Sequence, residues 1–499
     1  MSVRRNSFAN FVGVAYGSAA ALLIVPQYLH HMSPEAFGLI GFFVLAQSWL
    51  ALLDMGFSQV IVRAAAVHGR ESPGDFRKLL ASVEWLFLAL AIAVVLIGFM
   101  LAPAVARFWL QISTLSLDDV ERALDWMVIA ISLRLWTALY KSCLQGLELQ
   151  IRLNVLNVAT STLRYPGAFV LVAVYDAGFI EFFLYQAAVA VVELLAAVIM
   201  VYVLLPARHR WQLRFAGREL HEVLPFALSI AYGSTLSALL LQVDRLTFSS
   251  VLPLAEFGFL STVTLIATGI VQLGGPVVQA LLPRLTALFA ADGDGSTFRN
   301  LYLDGAEALA LLLAPIAITI AFFGQPLLRI WTGSEQAALW GAWPLFWYTL
   351  GSLIMTFATG PYLLQYVRGS LRLHTIFLSV GALIQTPVLV FLAFHYDASF
   401  VALVWCLFRA VDLVLWGGIV HWRLMPGLFL PWLLRCAGPV LSSLVVVLPA
   451  FWLLGTGLPT HPAVSVLLMG GVGLASMLLA VALSPLGRRQ CRVVWSWLV

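Results

Sequence analysis

Basic side chains occur in several segments of this chain that are otherwise apolar. Arg134 and Lys141 are seven residues apart, which places them on one face of a helix. Arg164 and Arg245 lie in two further apolar segments. A guanidinium group binds phosphate through parallel hydrogen bonds and keeps its charge when buried. This pattern therefore predicts a binding site for an anionic, phosphate-bearing ligand.

Acidic residues accompany the basic ones in the apolar segments. Asp54, Glu193 and Asp244 could each neutralise a nearby arginine or carry an ion, and we expect them to be candidates for ion coupling. Glu193 is predicted to lie alone in the middle of its segment. Arg409 and Asp412, one helical turn apart, are predicted to form an internal ion pair rather than to bind ligand.

Uncharged polar side chains recur at helical spacing in the same segments. Asn157, Gln272 and Gln279 are candidates for hydrogen bonds to substrate. The alternative is that such side chains stabilise helix packing. The predicted polar faces are Gln47, Asp54 and Ser58; Arg134, Thr137, Lys141 and Gln145; Asn154, Asn157, Ser161 and Arg164; Thr268, Gln272 and Gln279; and Tyr348, Ser352, Thr356 and Thr359. Together these faces predict a water-accessible cavity.

Sequence motifs of nucleotide hydrolysis and metal binding are missing. Neither lysine follows the glycines of a GxxxxGK[ST] loop, there is no HExxH, and the four cysteines form no CxxC pair. We therefore expect no enzymatic activity, no cofactor, no metal and no nucleic-acid partner.

The composition indicates the elements that must position these side chains. Hydrophobic residues make up 62% of the 499 residues and charged residues 10%, and the mean hydropathy is +0.95. Soluble domains are about 45–50% apolar and about 25% charged. The sequence therefore predicts an all-α polytopic membrane protein, and its first apolar stretch is too long for the core of a signal peptide.

Apolar windows predict fourteen transmembrane helices, each of about 20 residues or more. They are 8–30, 37–66, 79–106, 122–146, 152–175, 180–204, 223–251, 254–283, 299–324, 337–366, 373–394, 398–422, 437–456 and 462–484. With the N-terminus inside, twenty Lys and Arg residues fall at inner ends or loops and three in outer loops. The positive-inside rule then places both termini in the cytoplasm.

The tetrapeptide Ala-Tyr-Gly-Ser occurs twice, at 15–18 and at 231–234. Each copy is followed by a Glu and a Phe-Gly pair, and then by an apolar segment that ends at an arginine. This register predicts two homologous six-helix lobes. The alternative is that Gly-rich turns between helices, which are common, arose independently and give a similar pattern. The predicted domains are 1–205, a basic cytoplasmic linker 206–222, 223–422, and 423–499 with two additional helices and a basic tail.

Three sequence stretches resemble a known family. They are VPQYLHHMSPEAFGLIGFFVLAQSWLALLDMGFSQVIVR from Val25, LLLQVDRLTFSSVLPLAEFGFLS from Leu239, and LLRIWTG from Leu327. The first is similar to the family's span-one proline, its "E.fG" loop and its "LDxG…R" second span. The family is the polysaccharide-unit flippases of O-antigen and exopolysaccharide type, within the multidrug/oligosaccharidyl-lipid/polysaccharide exporter superfamily.

The resemblance implies a fold and a cargo. The fold would be two six-helix bundles plus two C-terminal helices, with a V-shaped alternating-access cavity. The cargo would be an undecaprenyl-pyrophosphate-linked oligosaccharide, moved across the bacterial inner membrane with H⁺ or Na⁺ as the coupling ion. The resemblance also implies that the last two helices form a groove for the lipid tail, and that a polysaccharide polymerase or co-polymerase is a partner.

Three alternatives remain at this stage. A multidrug cation antiporter of the same superfamily would need an acidic or aromatic cavity, and a peptidoglycan-precursor flippase would share the phosphate chemistry. A membrane-embedded glycosyltransferase or polymerase would need a sizeable polar loop, and every loop predicted from the sequence is short.

Overall fold

The computed structural model describes residues 3–68, 73–204, 217–454 and 461–489. Contacts divide the chain into two compact units, Met1–Gly258 and Phe259–Val499. Most of the predicted linker 206–222 and the basic tail from residue 490 lie outside the described residues. The predicted boundaries of the lobes therefore stay a prediction.

The first unit is built from helices α1 to α9 and the start of α10. Their bounds are α1 Val3–Ile24, α2 Pro34–Leu50, α3 Phe57–His68, α4 Pro73–Ala104, α5 Leu117–Gly146, α6 Gln150–Thr162, α7 Ala168–Tyr175, α8 Phe179–Leu204, α9 Gly217–Val251 and α10 Leu254–Asp292.

The second unit contains the rest of α10 and nine further helices. They are α11 Ser296–Phe322, α12 Gly324–Thr332, α13 Glu335–Phe357, α14 Thr359–Val367, α15 Arg372–His395, α16 Ala398–Val411, α17 Gly417–Leu424, α18 Phe429–Leu454 and α19 Pro462–Leu483.

Eleven helices of the described residues are long and apolar enough to cross a membrane. The predicted polytopic helical class is thus confirmed, but the count of fourteen is not. The predicted spans 8–30, 152–175 and 337–366 are not among them. Span 8–30 lies partly on residues whose side chains are not described, and the last two spans are divided into separate helices. The sequence windows did not register these divisions.

The second predicted span, 37–66, is broken after residue 50. A 3-10 turn over Ala51–Asp54 leads into left-handed residues Met55 and Gly56, with φ of 48° and 77°. The Asp54 carboxylate then caps α3, because it accepts hydrogen bonds from the Ser58 backbone N at 3.1 Å and from Ser58 Oγ at 2.7 Å. A side chain at Gly56 would lie 2.5 Å from the carbonyl oxygen of Ala227 on α9. The break therefore lets α9 pack closely on this turn.

A strap, residues 109–116, joins α4 to α5 and holds the start of α2. Glu35, which is buried, accepts hydrogen bonds from the backbone N atoms of Ser113, Thr114 and Leu115 at 2.9 to 3.0 Å, and from Thr114 Oγ1 at 2.8 Å. Four donors leave this carboxylate fully satisfied inside the protein. The strap thus ties the N-terminal end of α2 to the connection before α5.

The other side of the strap contacts the connection between α9 and α10. The Leu254 backbone N donates to the Gln111 carbonyl at 3.0 Å, and Trp109 Nε1 donates to Ser249 Oγ at 2.9 Å. A Cβ atom on Gly38 would lie 2.0 Å from the Leu254 carbonyl oxygen. Glycine is therefore required where α2 meets the start of α10.

Candidate anion-binding site

Helices α5 and α8 pack together along their length, and their polar side chains meet in a constant register. Arg134 NH2 donates to Gln186 Oε1 at 2.7 Å, and Lys141 Nζ donates to Glu193 Oε1 at 2.5 Å. Each pair is separated by 52 residues, and the two pairs are one heptad apart. Because the difference in residue number between the paired residues is the same at two positions one heptad apart, α5 and α8 run parallel. Both helices also contribute buried alanines to one hydrophobic cluster, and these are Ala123, Ala130, Ala187 and Ala190.

Glu193 bridges two cations. Its side chain is 1% exposed, and one oxygen accepts from Lys141 while the other accepts from Arg164 NH2. The Lys141 and Arg164 side chains are 26% and 20% exposed. A carboxylate this deeply buried is tolerated because both of its oxygens face a positive charge.

Arg134 has no carboxylate partner among the described residues. NH1 donates to Gln47 Oε1 at 2.7 Å, NH2 donates to Gln186, and the guanidinium lies 5.1 Å from the centre of the Phe43 ring. Its Nε atom is buried and donates no hydrogen bond within the described part of the chain, and the same is true of Arg164 Nε. These four residues, Arg134, Lys141, Arg164 and Glu193, are called the basic cluster below. It holds three positive charges and one negative charge.

A π-helical turn, Leu163–Gly167, presents Arg164 to the cluster. Carbonyl oxygens of this turn accept hydrogen bonds from side chains outside it. Tyr185 OH donates to Leu163 O at 3.0 Å, and Gln186 Nε2 donates to Arg164 O at 3.0 Å. Tyr28 OH donates to the carbonyl of Tyr165 at 2.9 Å. Three side chains from outside the turn therefore fix the backbone that carries Arg164.

This arrangement can neutralise a multiply charged anion. Three cations around one carboxylate leave two positive charges in a half-buried setting, where charge attracts more strongly than in water. No other charged groups are needed to make the cluster attractive to phosphate oxygens.

The sequence of the chain matches a known protein family. The sequence profile described as "Polysaccharide biosynthesis protein" matches residues 31–339, which is more than half of the chain. The protein belongs to the polysaccharide biosynthesis protein family. This membership confirms the resemblance that the motifs indicated, at the level of the superfamily.

Several solved structures have a fold similar to that of this chain at low sequence identity. "Lipid II flippase MurJ, inward closed conformation" matches with a TM-score of 0.73 at 13% identity, over 95% of this chain and 97% of that one. "Crystal structure of MATE in complex with MaL6" has a TM-score of 0.50 at 13% identity, over 83% and 96%. A structure titled as an outward-facing multidrug resistance MATE family transporter of the MOP superfamily has a TM-score of 0.45 at 14% identity, over 82% and 99%. No curated protein sequence matches the chain.

The other predicted site residues of the first unit are not part of the hydrogen-bond network described for the basic cluster. Asn157 is half-buried on α6, and Arg245 on α9 donates to the Leu241 carbonyl at 3.3 Å without an ion pair among the described residues. Asp244 is buried, 1% exposed. Asp54 serves as the cap of α3, so its carboxylate already has structural partners.

In the second unit, the predicted residues form two separate groups. Gln272 and Gln279 lie two turns apart on α10 and are exposed. Arg409 NH2 and Asp412 Oδ2 are 3.2 Å apart, and both side chains also hydrogen-bond Gln385 on α15. Gln385 therefore completes a buried polar triad that the sequence interpretation did not contain.

The polar face predicted over Asn154, Asn157, Ser161 and Arg164 is not a single face. A side chain on Gly13 of α1 would lie 2.3 Å from Asn154 Oδ1, and one on Gly17 would lie 3.3 Å from Ser161 Oγ. Arg164 instead reaches Glu193 on α8. The π-helical turn adds a residue to the helical turn, so the regular spacing used for the prediction fails at Arg164.

Sequence reasoning missed three residues of the site, Gln186, Tyr185 and Tyr28. Glu193 does not lie alone, because Gln186 is seven residues earlier on the same face of α8 and binds Arg134. The heptad spacing of Gln186 and Glu193 was readable in the sequence. Tyr185 and Tyr28 had no such signal, since their role depends on carbonyl groups that the π-helical turn exposes.

A second buried network lies in the same unit. Arg77 is fully buried, its NH1 donates to Glu84 Oε2 at 2.7 Å, and its NH2 donates to Tyr202 OH at 2.8 Å. Arg77 was expected at an inner end as one of the residues that orient the protein. Arg77 and Glu84 form a buried ion pair in this network.

Proposed function

We propose that the protein is a lipid-linked oligosaccharide flippase that moves an undecaprenyl-pyrophosphate-linked repeat unit from the cytoplasmic to the periplasmic leaflet. The single observation that carries the proposal is the basic cluster, which holds three cations and one carboxylate. A pyrophosphate group supplies the missing negative charge. Membership of the polysaccharide biosynthesis protein family supports a cargo that ends in a surface polysaccharide, such as O-antigen or exopolysaccharide.

Arg134, Lys141 and Arg164 would bind the pyrophosphate. The ammonium and guanidinium groups of these side chains are donors for phosphate oxygens. Asn157 on α6, and Arg245, Gln272 and Gln279, would contact the sugars or the remaining phosphate oxygens as the cargo moves.

Ion coupling would involve one of the buried carboxylates, Asp54, Glu193 or Asp244, with H⁺ or Na⁺. Glu193 is the strongest of these three candidates because it contacts the cluster directly. Asp54 is already engaged as a helix cap, and Asp244 is buried elsewhere on α9.

The excess of Lys and Arg in the predicted inner loops supports the bacterial inner membrane as the location, with both termini in the cytoplasm. A polysaccharide polymerase or co-polymerase would receive the flipped unit on the other side. The two lobes of the predicted domain organisation would move relative to each other during transport.

A peptidoglycan-precursor flippase is the second candidate. The match to a lipid II flippase at a TM-score of 0.73 favours it, and the same cluster would suit its phosphate chemistry. A multidrug cation antiporter is disfavoured, because a surplus of two positive charges repels a cationic drug.

The deciding experiment is deletion of the gene in its host, followed by mass analysis of lipid-linked intermediates. The proposal predicts that complete repeat units accumulate on the cytoplasmic leaflet while the cells stay viable. Loss of viability with accumulation of peptidoglycan precursor would favour the second candidate. Unchanged intermediates would contradict both.

Complementation then assigns the cluster. Arg134→Ala and Arg164→Ala are each expected to reduce surface polymer at least about tenfold, since a charged hydrogen bond contributes about 1.5–3 kcal/mol. Arg423→Ala removes the same charge from an exposed position on α17 and is expected to complement like the wild type. Membrane levels of all three variants are compared by immunoblot. Full complementation by both cluster variants would remove the assigned role.

A further inference from the structure

The Glu193 carboxylate occupies the place in the basic cluster that an anionic ligand would need. Its two oxygens lie on Lys141 and Arg164, whose side chains are 26% and 20% exposed. Arg134, by contrast, is held only by the neutral amides of Gln47 and Gln186 and by the Phe43 ring. The cluster therefore has one cation that is ready for an anion and two that are already satisfied internally.

The geometry points to Glu193 as an internal competitor for the cargo anion. Its carboxylate sets the affinity of the basic cluster for the cargo and displaces the cargo on release. The inference rests on the proposed function and deepens it. When pyrophosphate binds, Lys141 and Arg164 turn from the carboxylate to phosphate oxygens, and when cargo leaves, Glu193 takes them back. A binding site of three uncompensated cations would hold a pyrophosphate too tightly to release it.

The surroundings of Glu193 make such an exchange feasible. Lys141 and Arg164 are 26% and 20% exposed while Glu193 is 1% exposed, so the cations, and not the carboxylate, are accessible to a ligand. The backbone at Arg164 is fixed by the hydrogen bonds of Tyr185, Gln186 and Tyr28. Rotation of the long Lys and Arg side chains is therefore sufficient, and no helix has to move for the exchange.

Glu193→Gln tests the inference because glutamine keeps the shape and one acceptor oxygen but removes the charge. Purified protein in detergent is titrated with inorganic pyrophosphate, and Kd is measured by calorimetry. We expect Glu193→Gln to bind about tenfold more tightly than the wild type, the lower end of what one neighbouring charge contributes. Glu193→Asp, whose shorter side chain keeps the charge but reaches fewer cations, is expected to bind with intermediate affinity.

The matched control is Glu84→Gln. Glu84 is also a buried carboxylate on an arginine of the first unit, but its partner Arg77 is fully buried in a charge-balanced pair. This variant is expected to leave the Kd for pyrophosphate unchanged. A purely structural role of Glu193 would lower thermal stability without tightening the binding.

The second readout separates affinity from turnover. In proteoliposomes, flipping of a fluorescent short-chain polyprenyl pyrophosphate is measured by dithionite quenching. Glu193→Gln is expected to flip more slowly than the wild type despite its tighter binding. Equal or weaker pyrophosphate binding by both Glu193→Gln and Glu193→Asp would overturn the inference.

Failure of the proposed function gives a different result. If the wild-type protein binds no pyrophosphate and Arg164→Ala changes nothing, the anion site itself is wrong. If the wild type binds and Arg164→Ala weakens binding, while neither Glu193 variant tightens it, only the role of Glu193 is wrong.

Discussion

Two arginines of the basic cluster are held by different means, although both lie in apolar segments. Arg134 is bound by neutral amides, and Arg164 is bound by a carboxylate. Truncation of Arg164 would leave Glu193 with one cation, while truncation of Arg134 would leave two amides without a donor. The surplus positive charge of the basic cluster thus comes mainly from Arg134. The turn that carries Arg164 determines where that charge lies.

Gly167 is the residue on which the π-helical turn depends. A Cβ atom there would lie 2.2 Å from Tyr185 OH, which donates to the Leu163 carbonyl. Gly167→Ala is therefore expected to lower stability by about 1 kcal/mol, despite the better helix propensity of alanine, because it displaces the hydrogen bond of Tyr185. Thermal unfolding followed by tryptophan fluorescence measures the change.

Gly233→Ala is the matched control, because nothing lies within 4 Å of the added atom in α9. It should be neutral or slightly stabilising. Equal stability of Gly167→Ala and the control would show that Tyr185 does not fix the turn.

At the scale of helices, the parallel pairing of α5 and α8 assembles the cluster. The face that holds Arg134 and Lys141 was predictable from the heptad spacing, because α5 is regular between them. The partner helix was not predictable, since the 52-residue register is set by the packing of small side chains and not by any local pattern. The same limit explains the missed triad of Gln385, Arg409 and Asp412, whose members come from two helices.

Substitution of Glu35 tests how strongly the strap, residues 109–116, is bound to the start of α2. Glu35→Gln replaces one acceptor oxygen by an amide group, so part of the bonding to the Ser113, Thr114 and Leu115 amides is lost. We expect a loss of about 1–3 kcal/mol. Faster hydrogen exchange of a peptide covering residues 109–116 would be the direct sign.

Glu335→Gln serves as the comparison for that experiment. Glu335 pairs with Arg329 on α12, and both side chains are about half exposed, at 53% and 51%. Exposed pairs contribute about 0–1 kcal/mol, so exchange near α12 should change little. Unchanged exchange of the strap in Glu35→Gln would contradict its assigned role.

For the whole molecule, composition predicted the class of fold, and the apolar windows predicted most helices closely. The last predicted span, 462–484, corresponds to α19 Pro462–Leu483. The windows failed at the turn before Gly56 and at the π-helical turn after Thr162, because a hydropathy average does not respond to one residue of altered backbone. Those two places are also where Asp54 and Arg164 acquire their partners.

The central claim is that the surplus charge of the basic cluster selects a pyrophosphate-headed lipid. The most direct measurement compares flipping of a fluorescent polyprenyl pyrophosphate with flipping of the same lipid carrying a neutral alcohol head, in proteoliposomes of the wild type and of the double variant Arg134→Ala/Arg164→Ala. The account predicts rapid flipping of the pyrophosphate lipid only, and a loss of at least about a hundredfold in the double variant, since two charged hydrogen-bonding groups are removed. Equal flipping of both lipids by the wild type, or an unchanged rate in the double variant, would contradict it.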